Sequence, residues 1–283
     1  MTFNYIHWDI NPEIINVFGI SIRYYGLLFV SGLIICIYIL RWIFDKENIP
    51  QENLEKLSIY GMIGILAGAR LGHCLFYEPE YYLANPIEMF LPIQINPEGG
   101  IRFIGYQGLA SHGGVLGIII ALIIYSRKKK QPLIKTIDLI AIVAPVAGCF
   151  IRLGNLMNSE IIGMPTSKSW GFIFVRVDNI ARHPAQLYEA ISYFLIFVIM
   201  IFLYKTKREK LKNGSFFGLA LIMIFVARFI IEFIKERQVD FEANMELDMG
   251  QLLSIPYIIV GIVFLVAGII VTNKKISKQN TAN

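Results

Sequence analysis

Apolar residues run almost unbroken through seven stretches of this chain, at roughly 20–43, 58–78, 108–126, 134–152, 184–204, 215–235 and 249–272. A membrane-crossing helix needs about 20 mostly apolar residues, and each stretch supplies close to that number. The pattern predicts an all-α integral membrane protein, a seven-transmembrane-helix bundle forming a single polytopic domain over residues 1–283. The last two stretches flank a polar segment, Glu236 to Asp248. The longest gaps, 79–107 and 153–183, hold turn-forming residues including Pro79, Pro86, Pro92, Pro97, Gly99, Gly100 and Pro165. They predict two long loops. No repeat of fixed period is visible.

Composition agrees. Apolar residues are 55% of the chain and charged residues only 17%, against about 25% in a soluble domain. This excludes a disordered chain, a disulfide-rich secreted domain and a nucleic-acid binder. Cys36, Cys74 and Cys149 lie far apart in apolar runs and read as small packing residues. The first basic residue is Arg23, so no cleavable signal peptide is expected. Fifteen Lys and Arg residues flank one set of span ends, with dense groups at 127–135 and 205–212, and five flank the other. Basic loops stay in the cytoplasm. The expected orientation is therefore N-terminus outside, C-terminus inside, with both long loops facing outward.

The polar residues within the spans are not scattered. Arg70 lies about 12 Å and Arg228 about 10 Å from the outer ends of spans two and six, at 1.5 Å per residue. Arg23 opens span one and Arg152 ends span four on that same side. His112, Gln186, Tyr188, Glu189, Asp248 and Gln251 open other spans there, and Asn155, Asn158 and Glu160 follow Arg152. Charges at such depth are costly and face a cavity, a partner or a headgroup. Glu232 stands four residues after Arg228, a spacing that predicts an intramembrane ion pair. The remaining arginines exceed the obvious carboxylates, and a guanidinium fork suits phosphate. The expected occupant is a phospholipid headgroup at outer-leaflet depth. No HExxH, paired aspartates or P-loop occurs, and no metal or cofactor is expected. Ser111 and His112 are adjacent, about 100° apart on a helix, which is poor geometry for a nucleophile and its base. Gly64, Gly68 and Gly72, and Gly113, Gly114 and Gly117, form small-residue stripes that let a second helix approach closely.

Several segments are diagnostic together. Ile151-Arg152-Leu153-Gly154-Asn155-Leu156-Met157-Asn158-Ser159-Glu160 followed by Gly163, Ser111-His112-Gly113-Gly114, Arg23-Tyr24-Tyr25-Gly26, His183-Pro184-Ala185-Gln186-Leu187-Tyr188-Glu189, Arg228-Phe229 with Glu232-Phe233, and Met249-Gly250-Gln251 resemble motifs of the prolipoprotein diacylglyceryl transferase family, in order along nearly the whole chain. The chain departs from the family pattern at Ile151, Leu156 and Ser159, where Gly, Phe and Gly are usual. It departs again at Ile224, where Tyr is common, so no tyrosine role is carried to that position. The family's Phe-Arg-x-Pro-Asp becomes Ile234-Lys235-Glu236 and on to Asp240.

The resemblance implies a transferase of the bacterial inner membrane. Its activity would move the diacylglyceryl group of phosphatidylglycerol to the lipobox cysteine of preprolipoprotein signal peptides, forming a thioether and releasing glycerol phosphate. It implies that Arg152 and Arg228 bind phosphate and assist catalysis, and that Tyr25, Asn155 and Glu160 are functional. Gly154, Arg70, Gln186 and Glu232 complete the lipid site expected on this basis. His112 is expected either to take the thiol proton or to orient the lipid or a helix. A phospholipid transporter or scramblase is the competing expectation, although the inner halves of the spans lack the polar path it would need.

Overall fold

The computed structural model describes residues 5–17, 20–91, 93–95, 99–103, 108, 110–237 and 245–280. Pro92, Pro97 and the departures at 238–240 lie outside them. Three short strands open the chain, β1 (Ile6–Trp8), β2 (Glu13–Val17) and β3 (Ile20–Arg23). Helix α1 (Tyr24–Lys46) follows, then α2 (Gln51–Phe76), the short α3 (Pro79–Ala84) and α4 (Pro86–Phe90), and strands β4 (Ile93–Ile95) and β5 (Ile101–Phe103). Helices α5 (Ser111–Lys129) and α6 (Leu133–Asn158) come next, then β6 (Phe172–Phe174), β7 (Ala181–Arg182), α7 (Ala185–Lys207), α8 (Ser215–Glu232) and α9 (Met249–Asn280).

Among the described residues, six helices are long and apolar enough to cross a membrane: α1, α2, α6, α7, α8 and the Met249–Gly268 part of α9. The third expected span is a helix, α5, but its 19 residues end in Arg127, Lys128 and Lys129, which shortens the apolar run. The all-α expectation missed the strands. β1 pairs parallel with β6, β6 antiparallel with β7, and β2–β3 and β4–β5 form hairpins. Runs of two to five residues are too short to register beside 20-residue apolar spans.

The chain resolves into two compact units, Met1–Leu40 with Ile137–Asn283, and Arg41–Thr136. In the second, α2 and α5 meet through the two glycine stripes. A Cβ at Gly68 would lie 2.7 Å from the Cα of Gly117 and collide with the carbonyl oxygen of Gly113. Gly64 and Gly117 oppose each other in the same way, whereas Gly114 has ordinary room. The obstacle is backbone, which cannot rotate aside. Gly68→Ala is therefore expected to lower thermal stability in detergent by about 1–3 kcal/mol. Gly61→Ala, with nothing within 4 Å of the new methyl, should be neutral or stabilising because alanine is the better helix former. Equal melting temperatures for the two variants would contradict this packing.

In the first unit, α8 and α9 also cross at glycines, with a Cβ at Gly218 placed 2.6 Å from the Gly261 oxygen. The N-terminus of α8 is held by fully buried Asp138 of α6. Its carboxylate accepts from the backbone N–H groups of Gly214 at 2.7 Å and Phe217 at 2.8 Å. Unsatisfied N–H groups at a helix start favour an anion there.

Candidate functional site

The signature segment is organised by the end of α6. That helix continues to Asn158, six residues past the expected end at 152, so Arg152, Gly154 and Asn155 are all helical. The expected gap 153–183 begins where the apolar run gives way, but Gly154 and Asn155 extend the helix. The end is a Schellman cap: the Glu160 N–H donates to the Asn155 carbonyl at 3.0 Å and the Ser159 N–H to the Leu156 carbonyl at 3.1 Å. Ser159 takes the left-handed conformation, φ 55°, at the position such caps fill with glycine. The turn brings the Glu160 carboxylate back to the side chains of Asn155, at 3.2 Å, and Asn158, at 3.0 Å. Both amides donate to it, offsetting the unfavourable field that a helix C-terminus exerts on an anion.

Ser159 carries strain without recompense, since its buried Oγ has no hydrogen-bond partner among the described residues. Ser159→Gly removes the Cβ clash of the left-handed region, partly offset by the greater freedom of glycine in the unfolded chain. The expected net gain is about 0.5–1 kcal/mol, read as a higher melting temperature in detergent. A lower melting temperature would contradict this account of the cap.

Beyond the cap, the loop is tied into a backbone ladder. The Gly163 N–H donates to His183 O at 2.9 Å, Met164 N–H to Ile234 O at 2.8 Å, and Glu236 N–H to Ile162 O at 3.1 Å. Gly163 lies between two backbones; a Cβ there would sit 2.5 Å from His183 O and 2.8 Å from Ile234 O. Arg182 closes the same region, with Nη2 at 2.6 Å and Nε at 2.9 Å from Asp178 Oδ2 and Nη1 at 3.0 Å from Glu236. The Arg182 guanidinium holds the Asp178 carboxyl below its ordinary range. Trp8 reaches in from β1, its indole N–H donating to Leu156 O at 2.9 Å.

Around this frame a chain of charges runs through the first unit. Arg152 Nε lies 2.9 Å from Glu189 Oε2, and its Nη1 donates to Asn155 Oδ1 at 3.3 Å. Glu189 is fully buried and pairs through Oε1 with Lys235 Nζ at 3.1 Å. Lys235, 5% exposed, also pairs with Glu232 Oε2 at 3.1 Å. Gly250 packs directly on the Glu232 carboxylate. Gln186, buried, donates to the Glu160 backbone carbonyl. The Tyr25 ring lies against α6 where a Gly154 Cβ would be 2.7 Å from it, and the Tyr25 hydroxyl senses Arg152 and Glu160. Gly154 thus makes room for Tyr25.

Arg228 corrects an expectation. It does not pair with Glu232: α8 ends at Glu232, the chain turns, and Lys235 takes that carboxylate from three residues on. The buried Nε of Arg228 has no hydrogen-bond partner among the described residues. Buried Tyr193 on α7 lies within electrostatic range of Arg152, Glu189 and Arg228, so one side chain feels both the charge chain and Arg228.

Arg70 and His112 belong to the second unit. Arg70 is 4% exposed and donates to the backbone carbonyls of Glu88, at 2.7 Å, and Met89, at 3.3 Å, with its guanidinium 4.8 Å over the Tyr82 ring. Its geometry anchors α3 and α4 to α2. His112 is exposed in the first turn of α5. The structure thus gathers Arg152, Asn155, Glu160, Gln186, Tyr25, Gly154, Glu232 and Arg228 within the first unit. It adds Lys235 and Tyr193, which the sequence did not place in the site, and gives Glu189, set by the sequence among the converging polar residues without a role, its partners. Glu189 stood within the His-Pro-Ala-Gln-Leu-Tyr-Glu motif, where its burial could have been inferred. Lys235 read only as a basic residue at a span end.

The family model for prolipoprotein diacylglyceryl transferase matches residues 12–267. The chain belongs to this family. Phosphatidylglycerol–prolipoprotein diacylglyceryl transferases are its curated relatives: that of Bacteroides fragilis is 55% identical over 260 residues, 92% of this chain and 94% of the relative. The transferase of Chloroherpeton thalassium is 43% identical over 265 residues, 93% and 94% of the two chains. That of Campylobacter hominis is 35% identical over 268 residues, 92% of each. Similarity at this length covers both units of the transferase and every motif named above.

Proposed function

We propose that this protein transfers the diacylglyceryl group of phosphatidylglycerol to the lipobox cysteine of a preprolipoprotein, with the phosphate bound by Arg228 and Arg152. Membership in the family makes the chain a diacylglyceryl transferase acting on phosphatidylglycerol and prolipoprotein. The residue roles are carried by one observation. In the charge chain Arg152 and Lys235 are matched by Glu189 and Glu232, while the buried Nε of Arg228 has no hydrogen-bond partner among the described residues. A half-buried guanidinium with such a donor is suited to take an anion from outside.

The chemistry suits that arrangement. The cysteine loses its proton and its sulfur attacks the sp³ carbon of the diacylglyceryl group. The S–C bond forms as the C–O bond to phosphorus breaks, and glycerol phosphate departs with an added negative charge. Donors aimed at that phosphate stabilise the transition state more than the ground state. Arg228 supplies charge. Arg152, held at Nε by Glu189 and steered by Asn155, presents its outer nitrogens in a fixed plane. Glu160, with Asn155, Asn158 and Gln186, fixes the cap, and Tyr25 lines it. Glu232 serves the site through Lys235. Arg70 holds the α3–α4 arm. A thiol is only a few per cent ionised at neutral pH, and His112 is the residue proposed to accept its proton or to orient the lipid.

The same reading makes the chain one polytopic domain of the bacterial inner membrane. The charge count and the helical form of α5 support seven crossings with the N-terminus outside and the site toward the outer leaflet. A lipid transporter gains no support from family membership. Purified protein in phosphatidylglycerol vesicles, given a peptide bearing a lipobox cysteine, separates the two. The transferase yields a thioether-modified peptide and none with the Cys→Ser peptide. Lipid exchange between leaflets with unmodified peptide would overturn the proposal.

A further inference from the structure

We infer that Lys235 is a positioning residue for the transfer reaction: by sharing Glu189 with Arg152 and neutralising Glu232, it keeps the Arg152 guanidinium available to the lipid phosphate. This rests on the reading that Arg152 binds that phosphate.

Glu189 is fully buried, and both its oxygens are engaged by cations, Oε2 with Arg152 at 2.9 Å and Oε1 with Lys235 at 3.1 Å. A carboxylate and a phosphate compete for the same guanidinium, since both are planar or tetrahedral oxyanions that accept from its N–H fork. Were Arg152 the only cation on Glu189, that carboxylate would hold it with undivided charge. Lys235 draws off part of the field. It does the same for Glu232, whose oxygen lies 3.1 Å from the ammonium. With Lys235 present, Arg152, Glu189, Lys235 and Glu232 sum to zero charge. Without it they sum to −1, beside a site that must admit an anion, and in a buried setting such a charge is weakly screened.

The placement of Lys235 is not incidental. Its backbone bridges Gly163 of the signature loop, flanked by the Met164–Ile234 and Glu236–Ile162 hydrogen bonds. The ladder delivers the ammonium between Glu189 of α7 and Glu232 of α8, so three parts of the site meet at one side chain. The family pattern has arginine here, and lysine preserves the charge with a more compact head.

The test is the steady-state KM for phosphatidylglycerol and kcat in mixed micelles, for wild type, Lys235→Met, Lys235→Arg and the double variant Lys235→Met/Glu232→Gln. Loss of ground-state and transition-state attraction alike appears in KM. Lys235→Met should raise KM by about tenfold or more and, because the departing phosphate gains charge, lower kcat as well. Lys235→Arg should stay within about threefold of wild type, and the double variant, its charge sum restored, should return toward it. A purely structural lysine would not be rescued by removing a second buried group. A Lys235→Met KM within about twofold of wild type, or a double variant no better than the single, overturns the inference. If Lys235→Met is too unstable to assay, the double variant decides: a KM within about threefold of wild type supports the inference and a rise of about tenfold overturns it. Wild-type protein with no transfer activity would instead overturn the functional reading on which this rests.

Discussion

Arg228→Gln is expected to lower the rate of diacylglyceryl transfer by about 10²–10³-fold, the range seen when one preorganised donor to a developing oxyanion is removed, while leaving the protein at least as stable as wild type. The two halves of this result have one cause. Arg228 has a buried Nε without a partner among the described residues, and Glu232 is already paired with Lys235. Removing the arginine therefore strands no carboxylate among the described residues, and it removes a buried donor that they leave unmatched. In the proposed reaction the arginine acts on the phosphate as it leaves. An arginine that was merely half of a buried ion pair would behave in the opposite way, with a fall of about 3–5 kcal/mol in stability. Melting temperature in detergent and turnover with phosphatidylglycerol distinguish the cases. Turnover within threefold of wild type, or a large loss of stability, would contradict the assignment.

Arg152→Lys is expected to reduce turnover by about 10²-fold although the charge is kept. Arg152 uses Nε for Glu189, at 2.9 Å, and Nη1 for Asn155, at 3.3 Å, which orients the plane of the guanidinium. A lysine ammonium can take the Glu189 position or reach outward, but it has no second edge to present to phosphate. Glu189 retains Lys235 in either case, so the folded state should change little. Near-wild-type turnover of correctly inserted Arg152→Lys protein would show that a point charge suffices.

Much of this was legible in the sequence because the membrane imposes simple rules. Unbroken apolar runs located the six helices long enough to cross, and also α5. The glycine stripes foretold a close helix contact, and the structure supplies its partner: the stripe on α2 meets the stripe on α5. The signature motif falls on the C-terminal turns of α6, which continues to Asn158, past the end expected at 152. What escaped was set by backbone pairing across the chain. Glu232 was assigned to Arg228 because four-residue spacing aligns two side chains on one helix. That rule takes no account of a third residue beyond the helix end. Lys235 wins the carboxylate because Gly163, from a different loop, pairs with its backbone and fixes where the ammonium points. Arg70 was counted with the phosphate site by its depth, yet its donors meet the carbonyls of Glu88 and Met89, from a loop whose two short helices carry no periodic signal. Gly154 belonged to the motif as expected, but its role is to admit the ring of Tyr25. The depth of a side chain on a long helix could be read from position; the partner that a loop brings to it could not.

The central claim is that the phosphate departs from the lipid as the thioether forms, received by Arg228 and Arg152. The most direct measurement follows both products in one reaction, using phosphatidylglycerol labelled in its headgroup glycerol, a lipobox peptide and purified protein. Modified peptide is counted by mass spectrometry, and labelled glycerol phosphate in the aqueous phase. The account predicts that the two appear in equal amounts and at equal rates for wild type, and that Arg228→Gln slows both together. Labelled glycerol phosphate released without peptide modification, or modified peptide formed at wild-type rate by Arg228→Gln, would contradict it.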